Sequence, residues 1–250
     1  HRMFEAFEAI PLNIGLLGVG SSGTPGPLMH NIEAGACGLK IHEDLGCYPS
    51  VIDNCLSVAD QMDVAVALHT DSCNESCSLQ DLLSVIGDRT VHAYHVEGTG
   101  GGHIPNIIEI VGCGNIISSS TNPTLPYTIN TVAEHKEMII SVHKLHPAIR
   151  QDLLAAEARV RENTIVAEDV LHDMGAISIV SSDSLGMGRI GETIRRTWQL
   201  ADKMKKESVV ENSAGNDNDR ILRFLAKYTI NPAITHGVSS YIGSLEPGKM

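Results

Sequence analysis

Six short apolar runs alternate with helix-like stretches along the chain, and this alternation restricts the fold more than any other feature. Each run is short and is bounded by turn residues, so we predict a strand rather than a buried helix. Parallel strands need crossover connections, usually helices, and the alternation therefore predicts a parallel sheet covered by helices. The predicted strands span residues 12–18, 37–42, 64–69, 90–95, 115–118 and 176–181.

The number of predicted strands falls short of the eight in a closed (β/α)8 barrel. Because the strand ends carry candidate metal ligands, we predict an α/β fold of the TIM-barrel type; with about six strands it is incomplete in this chain. The barrel part is expected over residues 1–206, an exposed polar loop over 207–219 and a C-terminal helical region leading out of the barrel over 220–250. The predicted helices lie at 27–34, 49–61, 79–86, 103–111, 132–145, 148–163, 187–206 and 220–227.

Side chains that bind metal ions follow several of the predicted strands. His69 and His95 end their runs, and Asp183 follows the last run. Lys40 and His42 share one strand end and point to the same side, because strand side chains alternate with a period of two. The carboxyl ends of parallel strands meet at one face of a barrel, so these side chains are predicted to converge there. Two neutral imidazoles and a carboxylate suit a divalent transition metal, and the pattern indicates an enzyme.

Lys40 is unusual because it lies in an apolar run, where a buried ammonium is costly unless it is paired or modified. Carbamylation by carbon dioxide would convert it into an anion that can bridge two metal ions. The alternative is a lysine at a strand end that pairs with Glu43 or Asp44. A histidine after an apolar run is also often structural, and the residues alone leave these alternatives open.

Composition and charge argue against several other classes of protein. The formal net charge of −12 at pH 7 would repel phosphate backbones, so nucleic-acid binding is disfavoured. No apolar run approaches the ~18 residues that a membrane-spanning helix needs, and residues 1–8 lack the basic region of a signal peptide. The six cysteines are scattered, which is typical of free thiols in a reducing compartment. We therefore expect a soluble cytoplasmic protein without a nucleic-acid or membrane partner.

Three further motifs do not complete a site of their own. The glycine-rich stretch 98–102 lacks the Lys-Ser/Thr of a P-loop and is interpreted as a loop that lines the site. Ser182 and Ser184 lack the Gly-x-Ser-x-Gly elbow of many serine hydrolases. Cys73 and Cys77 are a close pair, but no second such pair completes a tetrahedral metal site.

Longer motifs extend over essentially the whole chain. They are Gly38-Leu-Lys-Ile-His-Glu-Asp44, His69-Thr-Asp71, Glu97-Gly-Thr-Gly-Gly-Gly-His103, Ser119-Ser-Thr-Asn-Pro-Thr-Leu-Pro126, Ser181-Ser-Asp-Ser184 with Met187-Gly-Arg189, and Ala226-Lys-Tyr-Thr-Ile-Asn-Pro232. Together they resemble the catalytic α subunit of urease, in the metal-dependent amidohydrolase superfamily. The resemblance implies an enzyme that hydrolyses urea to ammonia and carbamate.

The resemblance also implies a binuclear nickel site at the strand ends. Lys40 would be carbamylated and would bridge the two ions. His69 and His95 would complete the first nickel, and Asp183 would bind the second. A metal pair held by these ligands would polarise the urea carbonyl and lower the pKa of bound water, so that hydroxide could attack at neutral pH.

Further residues receive roles from the same resemblance. His42 would hydrogen-bond the urea carbonyl, and Gly100 would lie in the loop that holds the substrate amide. His143 matches the histidine of a mobile flap that acts on the leaving ammonia. Asp44 matches its hydrogen-bonding partner, and Arg159 matches the arginine that supports this network. The implied partners are urease β and γ subunits or their fused equivalents, a homotrimer of such units, and accessory proteins that deliver nickel.

The chain also departs from the family pattern. The His-x-His pair that completes the second nickel is not present and is expected before His1, so we expect an internal portion of an α subunit. The isolated 250 residues are then expected to bind nickel weakly and to lack urease activity. Val142 stands at the flap cysteine, Lys144 follows the flap histidine, and Leu45 replaces an expected tryptophan. Two alternatives remain, namely another binuclear amidohydrolase, such as a hydantoinase or dihydroorotase, and a non-catalytic urease homologue.

Overall fold

A computed structural model describes residues 2–42, 45–69, 78–98, 107–207 and 216–250. Six strands form one sheet, in which each strand pairs in parallel with the next along the chain. Among the described residues the first and last strands do not pair, so the sheet is open. The strands are β1 Leu17–Val19, β2 Gly38–Ile41, β3 Ala65–His69, β4 Val91–Tyr94, β5 Ile116–Thr121 and β6 Ile179–Ser181.

Helices connect the strands and cover one face of the sheet. This arrangement confirms the predicted α/β architecture, in which parallel strands follow one another in chain order as in a TIM-type barrel. No described helix is both long and apolar enough to cross a bilayer. The α-helices are α1 Arg2–Phe7, α2 Pro25–Glu33, α3 Pro49–Met62, α4 Leu79–Ile86, α5 Thr131–Val142, α6 Arg150–Arg159, α7 Glu162–Met174, α8 Thr193–Glu207, α9 Asn218–Ala226 and α10 Ile230–Thr235, and short 3-10 helices span Ile107–Gly112, Asn122–Thr124 and Ile190–Glu192.

The buried apolar residues of the strands lie on one face of the sheet, against the helices. Leu39 and Ile41 of β2 are fully buried, as is Leu68 of β3, and they pack in one cluster with Ile52 and Leu56 of α3. Because side chains alternate along a strand, Lys40 lies on the opposite face of β2. The lysine therefore points away from this apolar cluster.

Several predicted boundaries differ from those of the structure. β1 begins at Leu17 rather than at residue 12, and the helix predicted at 187–206 begins at Thr193. The helix predicted at 148–163 is two helices, because Val160 and Arg161 adopt extended backbone angles that separate α6 from α7. Residues 103–106 and 208–215, which belong to the predicted helix at 103–111 and the predicted polar loop, lie outside the described residues.

Candidate metal centre

The predicted strand-end side chains converge at the carboxyl end of the sheet. The ring centroids of His42 and His69 lie 4.4 Å apart, and those of His69 and His95 lie 4.8 Å apart. The Nε2 atom of His95 lies 3.7 Å from Oδ2 of Asp183. Lys40 and Asp183 line one cleft together with His95. Strands β2, β3, β4 and the loop after β6 therefore deliver nitrogen and oxygen donors to one place.

Unusual backbone angles orient two of these residues. His95 and Asp183 have φ angles of 56° and 47°, in the left-handed backbone region that residues other than glycine rarely adopt. At His95 the turn interrupts the strand alternation directly after Tyr94, and the imidazole reaches His69. Strain of this kind costs about 1–3 kcal/mol per residue and is concentrated at functional sites.

The loop after Asp183 also depends on close backbone packing. A Cβ atom at Gly188 would lie 1.3 Å from the carbonyl oxygen of Ser182, so only glycine is compatible with this approach. The tight loop allows the backbone N–H of Met187 to donate a hydrogen bond of 3.3 Å to Oδ2 of Asp183. The loop thus holds the carboxylate at the cleft.

Burial keeps the imidazoles of the centre neutral. It lowers the pKa of His69 well below its usual range, and His95, His42 and Lys40 add to this effect. Burial also lowers the pKa of His95 to about 4, although the Asp183 carboxylate opposes the shift. Neutral imidazole is the form that binds a metal ion, so the two rings are ready to bind a metal without losing a proton.

The environment of Lys40 lowers the pKa of its amine. Burial lowers its pKa to about 8, while the negative charge of Asp183 acts in the opposite direction. The Nζ atom lies 3.9 Å from the ring centroid of Tyr94. A lysine with a lowered pKa has a larger fraction of neutral amine near neutral pH, and the neutral amine is the nucleophilic form. The alternative pairing with Glu43 or Asp44 lies outside the described residues.

The donor types fit a divalent transition metal, but the described His, Cys, Asp and Glu side chains do not complete its coordination sphere. Imidazole nitrogen and carboxylate oxygen are ligands of zinc, nickel and related ions. Within the described ranges, His, Cys, Asp and Glu side chains form no group of three or more that could hold an ion. Coordination by these side chains therefore requires Lys40 or donors from elsewhere.

A cleft of about 370 Å³ opens beside the converging donors. Its wall combines an apolar side, a phenol, the candidate ligands and a run of serines. The lining residues are Leu17, Lys40, Tyr94, His95, Ser181, Ser182, Asp183 and Ser184.

The other predicted catalytic residues are only partly brought to this centre. His143 directly follows α5 and is close enough to contribute to the lowered pKa of His69. Arg159 ends α6, and its Nε atom is buried without a hydrogen-bond partner among the described residues. Asp44 and Gly100 lie outside the described residues.

Sequence reasoning did not assign a role to three neighbours of the centre. Cys47 donates a hydrogen bond of 2.8 Å from Sγ to the carbonyl oxygen of His42, which restrains the backbone of that residue. His135 of α5 is buried and adds to the lowering of the pKa of His95. Tyr94 lines the cleft next to Lys40. The signal for Tyr94 was its position at the end of β4, directly before His95.

Comparisons with known proteins show the family and the fold. The model of the amidohydrolase family matches residues 1–250. A crystal structure of a Xaa-Pro dipeptidase with bound methionine in the active site matches with a TM-score of 0.51 and 12% identity, over 98% of this chain and 56% of that chain. A crystal structure of an uncharacterized protein matches with a TM-score of 0.50 and 12% identity, over 89% of this chain and 48% of that chain. The chain thus spans about half the length of these solved structures, and identities this low establish a shared fold alone.

Proposed function

The chain belongs to the amidohydrolase family, and we propose that it forms most of the catalytic centre of a urea amidohydrolase. The observation that supports this proposal best is the convergence of Lys40, His69, His95 and Asp183 at one end of a parallel sheet. These are the positions at which the urease-like motifs carry metal ligands. We propose nickel as the metal and a carbamate on Lys40 as the bridge between two ions.

Formation of that carbamate would use the amine of Lys40. The nitrogen lone pair attacks the carbon of carbon dioxide, an N–C bond forms as one C=O π bond opens and its electron pair moves to oxygen, and one N–H proton passes to solvent. The lowered pKa of Lys40 supports this step, because it raises the fraction of neutral amine. The product is an anion, which would offset the positive charge of the metal ions, whereas an ammonium would add to it.

The other side chains would position urea and handle protons. A bound metal pair would supply polarisation of the urea carbonyl and activation of water. His42 would donate a hydrogen bond to the carbonyl oxygen, and Cys47 restrains its backbone for this purpose. His143, at the end of α5, would give a proton to the leaving nitrogen as the C–N bond breaks, so that ammonia departs.

The test is an assay of the full-length protein, produced together with nickel-delivery proteins and purified. We expect release of ammonia from urea, about two nickel ions per chain, and no hydrolysis of hydantoin, dihydroorotate or a Xaa-Pro dipeptide. Zinc in place of nickel, with turnover of one of the larger amides, would contradict the proposal. A protein that binds neither metal nor substrate would instead indicate the non-catalytic homologue.

A second candidate is another metal-dependent amidohydrolase that acts on a larger amide. The volume of the cleft favours it, since urea would fill only a fraction of about 370 Å³. The similarity to a Xaa-Pro dipeptidase is compatible with this candidate but reflects the fold alone. The same set of substrates distinguishes the two candidates.

A further inference from the structure

One aromatic side chain of the cleft has no role in the reaction described above. Tyr94 is the last residue of β4, and its ring centroid lies 3.9 Å from Nζ of Lys40. His92 lies on the same face of the strand, and its ring centroid is 4.3 Å from that of Tyr94, at an interplanar angle of 39°. The tyrosine ring therefore contacts both the lysine and a buried imidazole.

His92 supports the tyrosine from the interior of the sheet. It is only 3% exposed, and neither of its ring nitrogens has a hydrogen-bond partner among the described residues. The ring of His236 packs against it, edge to face, with centroids 5.9 Å apart. In this part of the chain, His92 is thus held by ring packing, and the three rings of His236, His92 and Tyr94 form a column that leads to Lys40.

The register of the sheet explains how a lysine of β2 reaches a ring of β4. Ala67 of β3 lies beside Lys40 on one side and beside His92 on the other. Ala67 is buried, and its side chain is a single methyl group. The small residue leaves the space across which the long lysine side chain extends to Tyr94.

We propose that Tyr94 is a positioning residue for Lys40, and that its ring holds the amine beside the donors of His95 and Asp183. The inference rests on the proposed function, in which Lys40 must become a bridging carbamate. A lysine side chain has four rotatable bonds and samples many positions unless packing restricts them. When only a fraction of conformers is competent, the apparent affinity equals the intrinsic affinity multiplied by that fraction.

The ring would therefore set the concentration of carbon dioxide at which the centre forms. Without it, Lys40 would spend less time beside the donors, and more carbon dioxide would be needed to trap the carbamate with metal. The phenol hydroxyl is not required for this role, because the contact with Nζ is made by the ring.

The experiment reconstitutes the metal-free full-length protein with nickel at a series of bicarbonate concentrations. Bound metal is measured by mass spectrometry, and the carbamate carbon is detected by NMR with labelled carbon dioxide. For Tyr94→Leu we expect the bicarbonate concentration for half-maximal loading to rise by roughly three- to tenfold, because a smaller fraction of Lys40 conformers would lie beside the donors. Tyr94→Phe should behave as the wild type, and Tyr241→Leu, at an exposed tyrosine, is the matched control.

Ala67→Val provides a test that leaves Tyr94 in place. The added methyl groups would fill the space that Lys40 crosses, so we expect the same rise in half-maximal bicarbonate. A lower maximum of bound metal with an unchanged half-maximal concentration would indicate a merely structural role and would overturn the inference. Equal loss in Tyr94→Phe and Tyr94→Leu would overturn it as well.

These readouts separate this inference from the proposed function, because neither one requires urea. If the wild type loads metal and carbon dioxide and Tyr94→Leu loads equally well, only the role of Tyr94 is wrong. If the wild type loads neither, both proposals are wrong.

Discussion

Two regions of the molecule bury the same kinds of side chain with different consequences. At the centre described above, Lys40 and His95 line an open cleft. Between the sheet and helices α7 and α9 lies an outer polar cluster, which we define as Ser120, Glu168, His172 and Lys227. Burial lowers the pKa values of the lysine and the histidine in both regions.

The regions differ in what their polar atoms contact. In the outer polar cluster, Nζ of Lys227 donates a hydrogen bond of 2.6 Å to the carbonyl oxygen of Ile177. Ser120 Oγ and His172 Nε2 lie 2.7 Å apart in a second hydrogen bond. Lys40, in contrast, rests on the face of an aromatic ring beside the cleft. A shifted pKa alone therefore does not identify a functional site; access to an open cleft distinguishes the two regions.

The largest expected effect is the loss of activity on removal of the cleft lysine. If the proposed function holds, Lys40→Ala in the full-length protein should abolish nickel loading and lower the rate of urea hydrolysis by at least about a thousandfold, because the proposed bridging ligand would be lost. Its unfolding free energy should stay within about 1 kcal/mol of the wild type, since the side chain borders a cleft. Ammonia release, metal content and guanidinium denaturation measure these quantities. Lys206→Ala, at an exposed lysine of α8, should change none of them.

The next effect concerns the pH dependence of stability. Burial, with a contribution from Arg223, lowers the pKa of Lys227 to about 7, and Asp173 opposes the shift. An unfolded lysine keeps its proton up to about pH 10, so the unfolded state binds more protons than the folded state between these values. Stability should therefore rise by about 1–3 kcal/mol as the pH increases from about 7 to about 10.

Lys227→Met should remove this contribution, because it has no proton to lose. Guanidinium denaturation at pH 7 and at pH 9.5 would show a smaller rise in unfolding free energy for the variant than for the wild type. Other groups titrate in both proteins, so their contribution cancels when the two rises in unfolding free energy are subtracted. Equal rises would contradict the assignment of this pH dependence to Lys227.

The smallest expected effect compares one serine from each region. Ser120→Ala removes the hydroxyl partner of the buried His172 and should lower the unfolding free energy by about 1–2 kcal/mol without changing metal content. Ser184→Ala, at the exposed rim of the cleft, should lower it by less than about 0.5 kcal/mol. Similar losses of stability in both variants would contradict the distinction between the regions.

Much of the fold could be predicted from periodicity. All six predicted strands exist, and the helix at 79–86 has the predicted bounds, because Ser78 and Asp81 form a capping box that marks its start. The break between α6 and α7 was missed, since neither proline nor glycine stands at Val160 or Arg161. Extended backbone at such residues follows from tertiary packing, which overrides local propensity.

The sequence by itself determined the parallel α/β sheet and the strand ends that carry Lys40, His42, His69 and His95. Short-range patterns suffice for this because strand alternation and crossover connections are local rules. Only the tertiary structure decided that His95 turns toward His69 through a left-handed backbone angle, and that Lys40 crosses Ala67 to reach Tyr94. Contacts between residues on different strands depend on register and on the volume of the intervening side chains, and these quantities exist only once the sheet has formed.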